Sequence, residues 1–276
     1  MLITLLKQFN IDFCAVNDGN ITDIVFMMPY KPFDNYPKNC AVIDSFYIAS
    51  NALYKKVAEI EKVVCDSGFT LVKRPLHLKK IAEQGGLGTV LDNMLLVNQK
   101  YGSKVTLQGL SVQGKFEYIV NEKVDKICPN CRACDKACPN NALCQGVFTR
   151  ENCIRHKQDF SKDYFAVIGN RVLGCSECQK VCPYNSHIGS EVMPKAVQQI
   201  FDYKNIFDMI KNGRKGLIPL ANLIGSNMAR PTFIFNLMVN CLLASHNFEY
   251  TDIIGTFVSS DNKNISAKAK FYLENI

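Results

Sequence analysis

Apolar and polar positions change period several times along the chain, and each change marks an element. Thr22–Tyr30 (TDIVFMMPY) is a compact apolar run ending at a proline, which reads as a buried strand. From Ser45 to Val64 the repeat becomes helical. Ile48, Leu53, Val57, Ile60 and Val64 fall on one face, with Lys55, Lys56, Glu59, Glu61 and Lys62 on the other. Phe69–Val72 (FTLV) reads as a short strand, and Pro75–Gln84 as a helix stopped by Gly85 and Gly86. Asn93–Val97 and Lys104–Val112 pair as a hairpin across NQKYGS. Short strands and helices thus alternate over the first 120 residues, an α/β layer arrangement. Beyond Pro183 the pattern turns helical. Phe233–Ala244 forms an apolar helix after Pro231, and Asp252–Val258 with Ile265–Leu273 forms a helix–turn–helix around SSDNKN. That pair resembles a single HEAT-type repeat. A solenoid needs about three repeats to stand alone, so this one is expected to cap the core.

Composition narrows the class. A chain of 276 residues, 47% hydrophobic, can bury a core divided among two or three units. The net charge of +7 permits a polyanionic partner without demanding one. The start, MLITLLKQFNIDF, lacks the basic flank and cleavage site of a signal peptide. No run reaches eighteen apolar residues, so no membrane span and a cytoplasmic address are expected.

That address decides how the cysteines are read. There are thirteen, and nine fall between Cys128 and Cys182. An odd number, clustered in a long chain without a secretion signal, points to metal rather than disulfides. Cys14, Cys40, Cys65, Cys144 and Cys241 stand outside the motifs and read as small buried hydrophobes. Cys128-x2-Cys131-x2-Cys134-x3-Cys138-Pro139 is the spacing of a bacterial iron–sulfur motif, whose fourth cysteine serves the other cluster. Three thiolates on a tight loop reach three corners of one cubane, while the fourth points away from it. The partner motif is Cys175-x2-Cys178-x3-Cys182-Pro183, one ligand short. Cys153 in TRENCIRH is the candidate for the missing place, and Cys144 its rival. Cross-sharing then divides the ligands into Cys128, Cys131, Cys134 and Cys182 for one 4Fe–4S cluster, and Cys138, Cys153, Cys175 and Cys178 for the other. Zinc also takes four-cysteine sets, but usually with a long spacer between pairs and with no use for the proline after each run.

The stretch CPNCRACDKACPNNAL with ENCIRH, the segment IGNRVLGCSECQKVCPYN, and the upstream AEQGGLG and NMLLVNQKYGSKVTLQGL together resemble epoxyqueuosine reductase, a family that shares its architecture with the reductive dehalogenases. The resemblance runs over roughly Thr22 to Asn185. It implies an α+β protein in three parts. These are an α/β cobalamin-type domain at 1–120, a ferredoxin-like two-cluster domain at 121–190, and a short helical, HEAT-like cap at 191–276 that is a cut-down version of the family's tail. It implies two 4Fe–4S clusters divided as above, and a cobalamin beside Gly86, Gly88 and Asn93. It also implies an external electron donor of flavodoxin or ferredoxin type, a tRNA substrate and a monomer. The GGLG turn can present backbone N–H groups to a cofactor, or can simply be a helix C-cap.

Two positions depart from the family. Its proton-donor aspartate lies in the segment that is Leu71-Val72-Lys73-Arg74-Pro75 here, which holds no acid, and the lysine preceding its asparagine is Asp92. Asp92, Asp66 and Tyr101 are substitutes for the acid, against their plainer reading as surface or turn residues. His77 reads as a helix-surface histidine. Three functions remain open: an oxidoreductase like the family, an electron-transfer protein without cobalamin or tRNA activity, and a nucleic-acid binder with structural clusters. The last rests on Lys204, Lys211, Arg214 and Lys215, a run that reads equally as a solvated helix face.

Overall fold

The computed structural model describes residues 1–120, 128–160 and 171–276. A three-stranded antiparallel sheet forms the first half, with Ile21–Pro29 at its centre between Asp12–Asp18 and Val105–Gln113. The first two strands turn through Gly19, whose φ of 65° suits a residue without a Cβ. Alternate side chains of the central strand serve two separate cores. Ile24 and Phe26 meet Leu53, Val57, Ile60 and Val64 of the helix Ser45–Asp66. Val25 and Met27 meet Ile81, Ala82, Leu87 and Leu96 on the opposite face. Both faces are covered, which is why this strand shows a continuous apolar run instead of an alternation. Asp44 caps the long helix, accepting a hydrogen bond from the Phe46 N–H at 3.0 Å.

Two local expectations give way to longer-range packing. Lys104–Val112 does not pair with Asn93–Val97. The strand Val105–Gln113 lies against Ile21–Pro29, with Val25 opposite Gly109, and Leu96–Val97 pairs instead with Thr89–Val90. Only the tight turn of the expected hairpin is present, closed by the Asn98 N–H on the Gly102 carbonyl at 2.9 Å. Pairing with the central strand lets Leu110 and Val112 enter the core under the long helix, which a two-stranded hairpin could not offer. Phe69–Val72 is not a strand either. It runs beside the sheet edge with one bridge, Leu71 to Val112, and the Val72 N–H donates to the Ser111 carbonyl at 2.8 Å. The helix read from Pro75 starts at Leu78.

The second half is helical. Pro231–Ala244 is apolar on nearly every side because it is buried on nearly every side, from Ile234 through Leu242. Its Phe235 packs with Phe207 and Phe257, and Phe207 with Tyr250, in an aromatic cluster with ring centroids 4.8–6.2 Å apart. Thr251–Gly255 with its 3-10 extension Thr256–Ser259, then Lys263–Leu273, makes the pair of helices expected there. This core also takes in Cys40, Ile43, Tyr47, Val172 and Leu173, so the helices share packing with earlier segments. A parallel two-stranded ladder of Val42–Ile43 with Arg171–Leu173 joins them. No helix among the described residues is long and apolar enough to cross a membrane. Lys204, Lys211, Arg214 and Lys215 are all exposed, and Lys211 pairs with Asp208 at 3.6 Å.

Of the five cysteines outside the motifs, Cys14, Cys40 and Cys241 are buried, and burial pushes the Cys14 thiol up to about 12 and that of Cys241 to about 11. Cys65 and Cys144 are exposed, contrary to the sequence reading. Cys65 lies in the last turn of the long helix, outside the stripe that faces the sheet, and Cys144 lies in a two-residue strand of a small hairpin. Iodoacetamide is therefore expected to label Cys65 and Cys144 in the folded protein and to spare Cys14 and Cys241, as mass spectrometry of the digested protein would report.

Candidate functional site

Short helices separated by single turns carry the motif cysteines. Cys128–Cys131 is one turn, Arg132 follows in a left-handed conformation with φ 49°, and Ala133–Ala137 is the next. Cys138 breaks to an extended conformation before Pro139, and Cys182 does the same before Pro183, which opens a 3-10 turn. The left-handed residue folds the loop back on itself, so neighbouring cysteines point toward one space.

Cys128, Cys131, Cys134 and Cys182 line a single cavity together with Asp92, Asn93 and Arg132. Burial raises the Cys182 thiol, and the nearby thiols of Cys128 and Cys131 add to it. Cys134 is pushed up to about 11, first by burial and then by the Asp135 carboxyl, to which its thiol donates. Arg132 reaches Asp135 at 3.5 Å and Asp92 at 3.9 Å. Its Nη1 is buried and, among the described residues, makes no hydrogen bond besides these ion pairs. A second set surrounds Cys178, whose thiol rises to about 12 through burial and through Cys175, Cys153, Cys134 and Cys138 around it. Cys175 likewise rises with burial, and Cys153 is among its neighbours. Cys144 is exposed on the hairpin Leu143–Cys144 with Val147–Phe148.

These residues suit an iron–sulfur group. Among the described residues no three His, Cys, Asp or Glu side chains converge as a single bound ion requires. Cys128, Cys131, Cys134 and Cys182 instead stand around one cavity, as the corners of a cubane need. Arg132 Nη1, held by two long ion pairs but by no hydrogen bond among the described residues, brings a cationic donor to the edge of the first cavity. The raised thiols lose their protons when iron binds.

The loop 91–95 has two sides. Leu91, Asp92 and Asn93 line the thiol cavity, while Met94 and Leu95 line a cleft of about 710 Å³. Leucines 76, 78, 95, 96 and 107 form part of its wall, with His77, Lys79, Lys80 and Arg155 among the polar residues lining it. Lys79 Nζ donates to the Met94 carbonyl at 2.6 Å. Burial first, then Arg155 and Arg150, lowers its pKa. The buried Thr106 hydroxyl in the cleft wall has no partner among the described residues. The size, the apolar walls and the unpaired hydroxyl fit a large, flat organic cofactor.

Sequence reading placed Gly86, Gly88 and Asn93 at a cofactor. Gly86 has φ 75° at the end of the helix Leu78–Gln84, where the Leu87 N–H returns to the Ala82 carbonyl at 2.9 Å; this is a helix C-cap. A Cβ on Gly88 would lie 2.4 Å from the Val97 carbonyl oxygen, so that glycine permits the turn to pack on its own hairpin. Asn93 lies at the thiol cavity and accepts from the Leu95 N–H at 3.2 Å. The substitutes for the acid lie elsewhere than the cleft. Asp92 faces Arg132, Asp66 is exposed at the end of the long helix, and Tyr101 lines a different cleft with His187. Arg74, in the segment without an acid, pairs with Asp18 and with Asp23 at 3.5 Å. His77 is exposed and precedes the helix Leu78–Gln84 instead of lying on its surface. Among the described residues lining the cleft the one carboxyl is Glu83, which the sequence reading passed over, and its Oε1 accepts from the Val90 N–H at 2.8 Å.

Also unforeseen is a buried polar joint between the cysteine motifs and the sheet half. Asn185 accepts from the Ser103 N–H at 2.7 Å and donates to the Ser103 hydroxyl at 2.8 Å and the Gln179 carbonyl at 2.7 Å. Gln179 donates to the Ser103 carbonyl at 2.8 Å. The signal was the asparagine two residues after Pro183. Asn185→Ala leaves several buried groups unpaired and is expected to cost about 3 kcal/mol in urea unfolding. A loss below about 0.5 kcal/mol would show that the joint contributes nothing to stability.

Residues 127–185 match the family described as a 4Fe–4S double cluster binding domain. Curated relatives include the epoxyqueuosine reductases of Aliivibrio fischeri, 31% identical over 150 residues, and Bacillus subtilis, 34% identical over 125. These matches cover 51% and 42% of this chain. Among solved structures, an epoxyqueuosine reductase with an epoxyqueuosine-modified tRNA-Tyr stem loop superposes over 92% of this chain and 73% of its own, with a TM-score of 0.72 at 18% identity. This chain is similar to the epoxyqueuosine reductases over about half its length. The enzyme from Streptococcus thermophilus shares the fold as well, with a TM-score of 0.63 at 20% identity over the same shares of the two chains. The chain spans only 32–40% of the length of the curated epoxyqueuosine reductases just named. The mixed α/β fold and the 4Fe–4S binding segment are thus held in common with that family.

Proposed function

We propose that this chain is an iron–sulfur oxidoreductase of the epoxyqueuosine reductase type, with two 4Fe–4S clusters serving a corrinoid in the leucine-walled cleft. Cys128, Cys131, Cys134 and Cys182 hold one cluster, and Cys138, Cys153, Cys175 and Cys178 the other. The observation that carries the reading is the loop 91–95, which lies between the first thiol cavity and the cleft and so joins electron source to acceptor. When bound, the clusters supply one-electron transfer and the corrinoid the two-electron chemistry. The chain itself positions the thiols, offers Arg132 Nη1 at the first cavity and Thr106 Oγ1 in the cleft, and shields the cleft with leucines. Gly86 and Gly88 shape the turn that sets this loop, and Asn93 holds its far end. On this reading residues 1–120 are the cofactor and substrate domain, 121–190 the two-cluster domain and 191–276 a HEAT-like cap. The start of the second lies outside the described residues. The substrate is a modified base on tRNA, the electron donor a separate flavodoxin- or ferredoxin-type protein, and the working form a monomer.

One observation favours a second reading, an electron-transfer protein without cobalamin or tRNA activity. The cleft's carboxyl, Glu83, is engaged by backbone. Anaerobic reconstitution with iron, sulfide and cobalamin separates the two. About eight irons per chain, little zinc and a cobalamin spectrum that changes at micromolar protein are expected. Intact clusters with no cobalamin complex would leave the electron-transfer reading in place. Stoichiometric zinc with iron absent would overturn both.

A further inference from the structure

Lys104 is 5% exposed, and among the described residues no carboxylate lies within ion-pairing distance of it. Among the described residues its ammonium has one hydrogen bond, to Gln179 Oε1 at 3.3 Å, and it lies 5.8 Å from the Tyr30 ring centroid. Gln179 cannot turn its amide away. Its Nε2 is committed to the Ser103 carbonyl at 2.8 Å, so Oε1 stays aimed at Lys104. Asp44, whose charge acts on Lys104, is paired with Arg171 at 3.6 Å. Burial lowers the Lys104 pKa, while Asp44 and then Cys178 act in the other direction. A buried cation held by one neutral amide is costly to keep unless a negative body lies beside it. Gln179 is the chain neighbour of Cys178, and a 4Fe–4S group on four thiolates is net negative.

We propose that Lys104 is the positioning charge that raises the reduction potential of the cluster held by Cys138, Cys153, Cys175 and Cys178; the inference rests on the ligand assignment above. A fixed cation favours the state with one more electron, and low local polarity strengthens the effect. Lys104 thereby biases electrons toward the cluster nearest it.

The test is a dithionite titration of the reconstituted full chain, followed by electron paramagnetic resonance, for wild type, Lys104→Met and Lys104→Arg. In Lys104→Met one of the two reduction steps is expected to become about tenfold less favourable, ~59 mV for one electron, while the other stays put. Lys104→Arg keeps the charge and should keep the midpoint, whereas a purely structural role would be disturbed by the bulkier side chain. Full iron content with both midpoints unmoved in Lys104→Met would overturn the inference. Should that variant fail to hold iron, Gln179→Glu sets a carboxylate against the ammonium and must lower the same step; an unmoved step there would overturn it equally. A wild-type chain that takes up no iron refutes the proposed function itself, a different result from clusters whose potentials ignore Lys104.

Discussion

Cys153→Ser is expected to lose about half of the iron, roughly four of eight atoms per chain after anaerobic reconstitution, while Cys144→Ser keeps all of it. The two cysteines are nine positions apart, and each stands near the first motif. Their surroundings differ. Cys153 sits between a 3-10 turn and the helix Ile154–Phe160, and its thiol bears on both Cys175 and Cys178. Cys144 is exposed on a small hairpin and is free for solvent. Serine retains the shape but binds iron poorly, so the loss reports ligation instead of packing. Iron analysis and resonance amplitude measure it. If Cys144→Ser loses four irons and Cys153→Ser none, the ligand division given above is wrong.

Epoxide reduction is expected to be slow even where cobalamin binds. Set beside an epoxyqueuosine reductase with a placed acid, turnover on an epoxyqueuosine-bearing stem loop should fall by roughly 10²–10⁴-fold, the usual worth of a positioned proton donor. The segment 71–75 offers Lys73 and Arg74 in place of an acid, and Arg74 is tied to Asp18 and Asp23 on the sheet. Asp92 is turned to Arg132, and Glu83 is held by the Val90 N–H. Binding should suffer less, because it would rest on the shape of the cleft and on many of its walls rather than on one carboxyl. Single-turnover product analysis and a visible-spectrum titration separate the two quantities. A rate equal to that of the relative would show that another group delivers the proton, and Glu83→Gln would then be the first variant to examine.

The features read from sequence without error are those whose geometry is local. Four cysteines within eleven residues, each run closed by a proline, constrain a loop over a few bonds, so the motif announced its chemistry before any fold was known. The helix Ser45–Asp66 was equally plain, since twenty-two residues of helical period outweigh any neighbour's influence. Leu71 and Val72 illustrate the opposite case. Their β-rich composition suggested a strand, but the segment makes only one bridge, Leu71 to Val112, before its own chain reaches Pro75. The strand Val105–Gln113 failed as a local hairpin for a related reason. Its best partner was about eighty residues away in sequence, and only burial of both faces of Ile21–Pro29 selects that pairing. The first strand, Asp12–Asp18, went unread altogether, although the turn at Gly19 announces it.

At the site, the chain's own spacing set the expectation of which cysteines act together, and the iron analysis of Cys153→Ser and Cys144→Ser tests it. Tertiary structure decided what surrounds them. The cleft draws its walls from residues 46–50, 76–83, 90–96, 103–107 and 155, segments that no periodicity links. Lys104 reads as an ordinary strand-edge lysine until Gln179 is folded against it, and Asn185 as part of a motif until it clasps Ser103. Ligand spacing follows from short-range backbone geometry, whereas burial and the charge it isolates depend on which distant segments come to lie side by side.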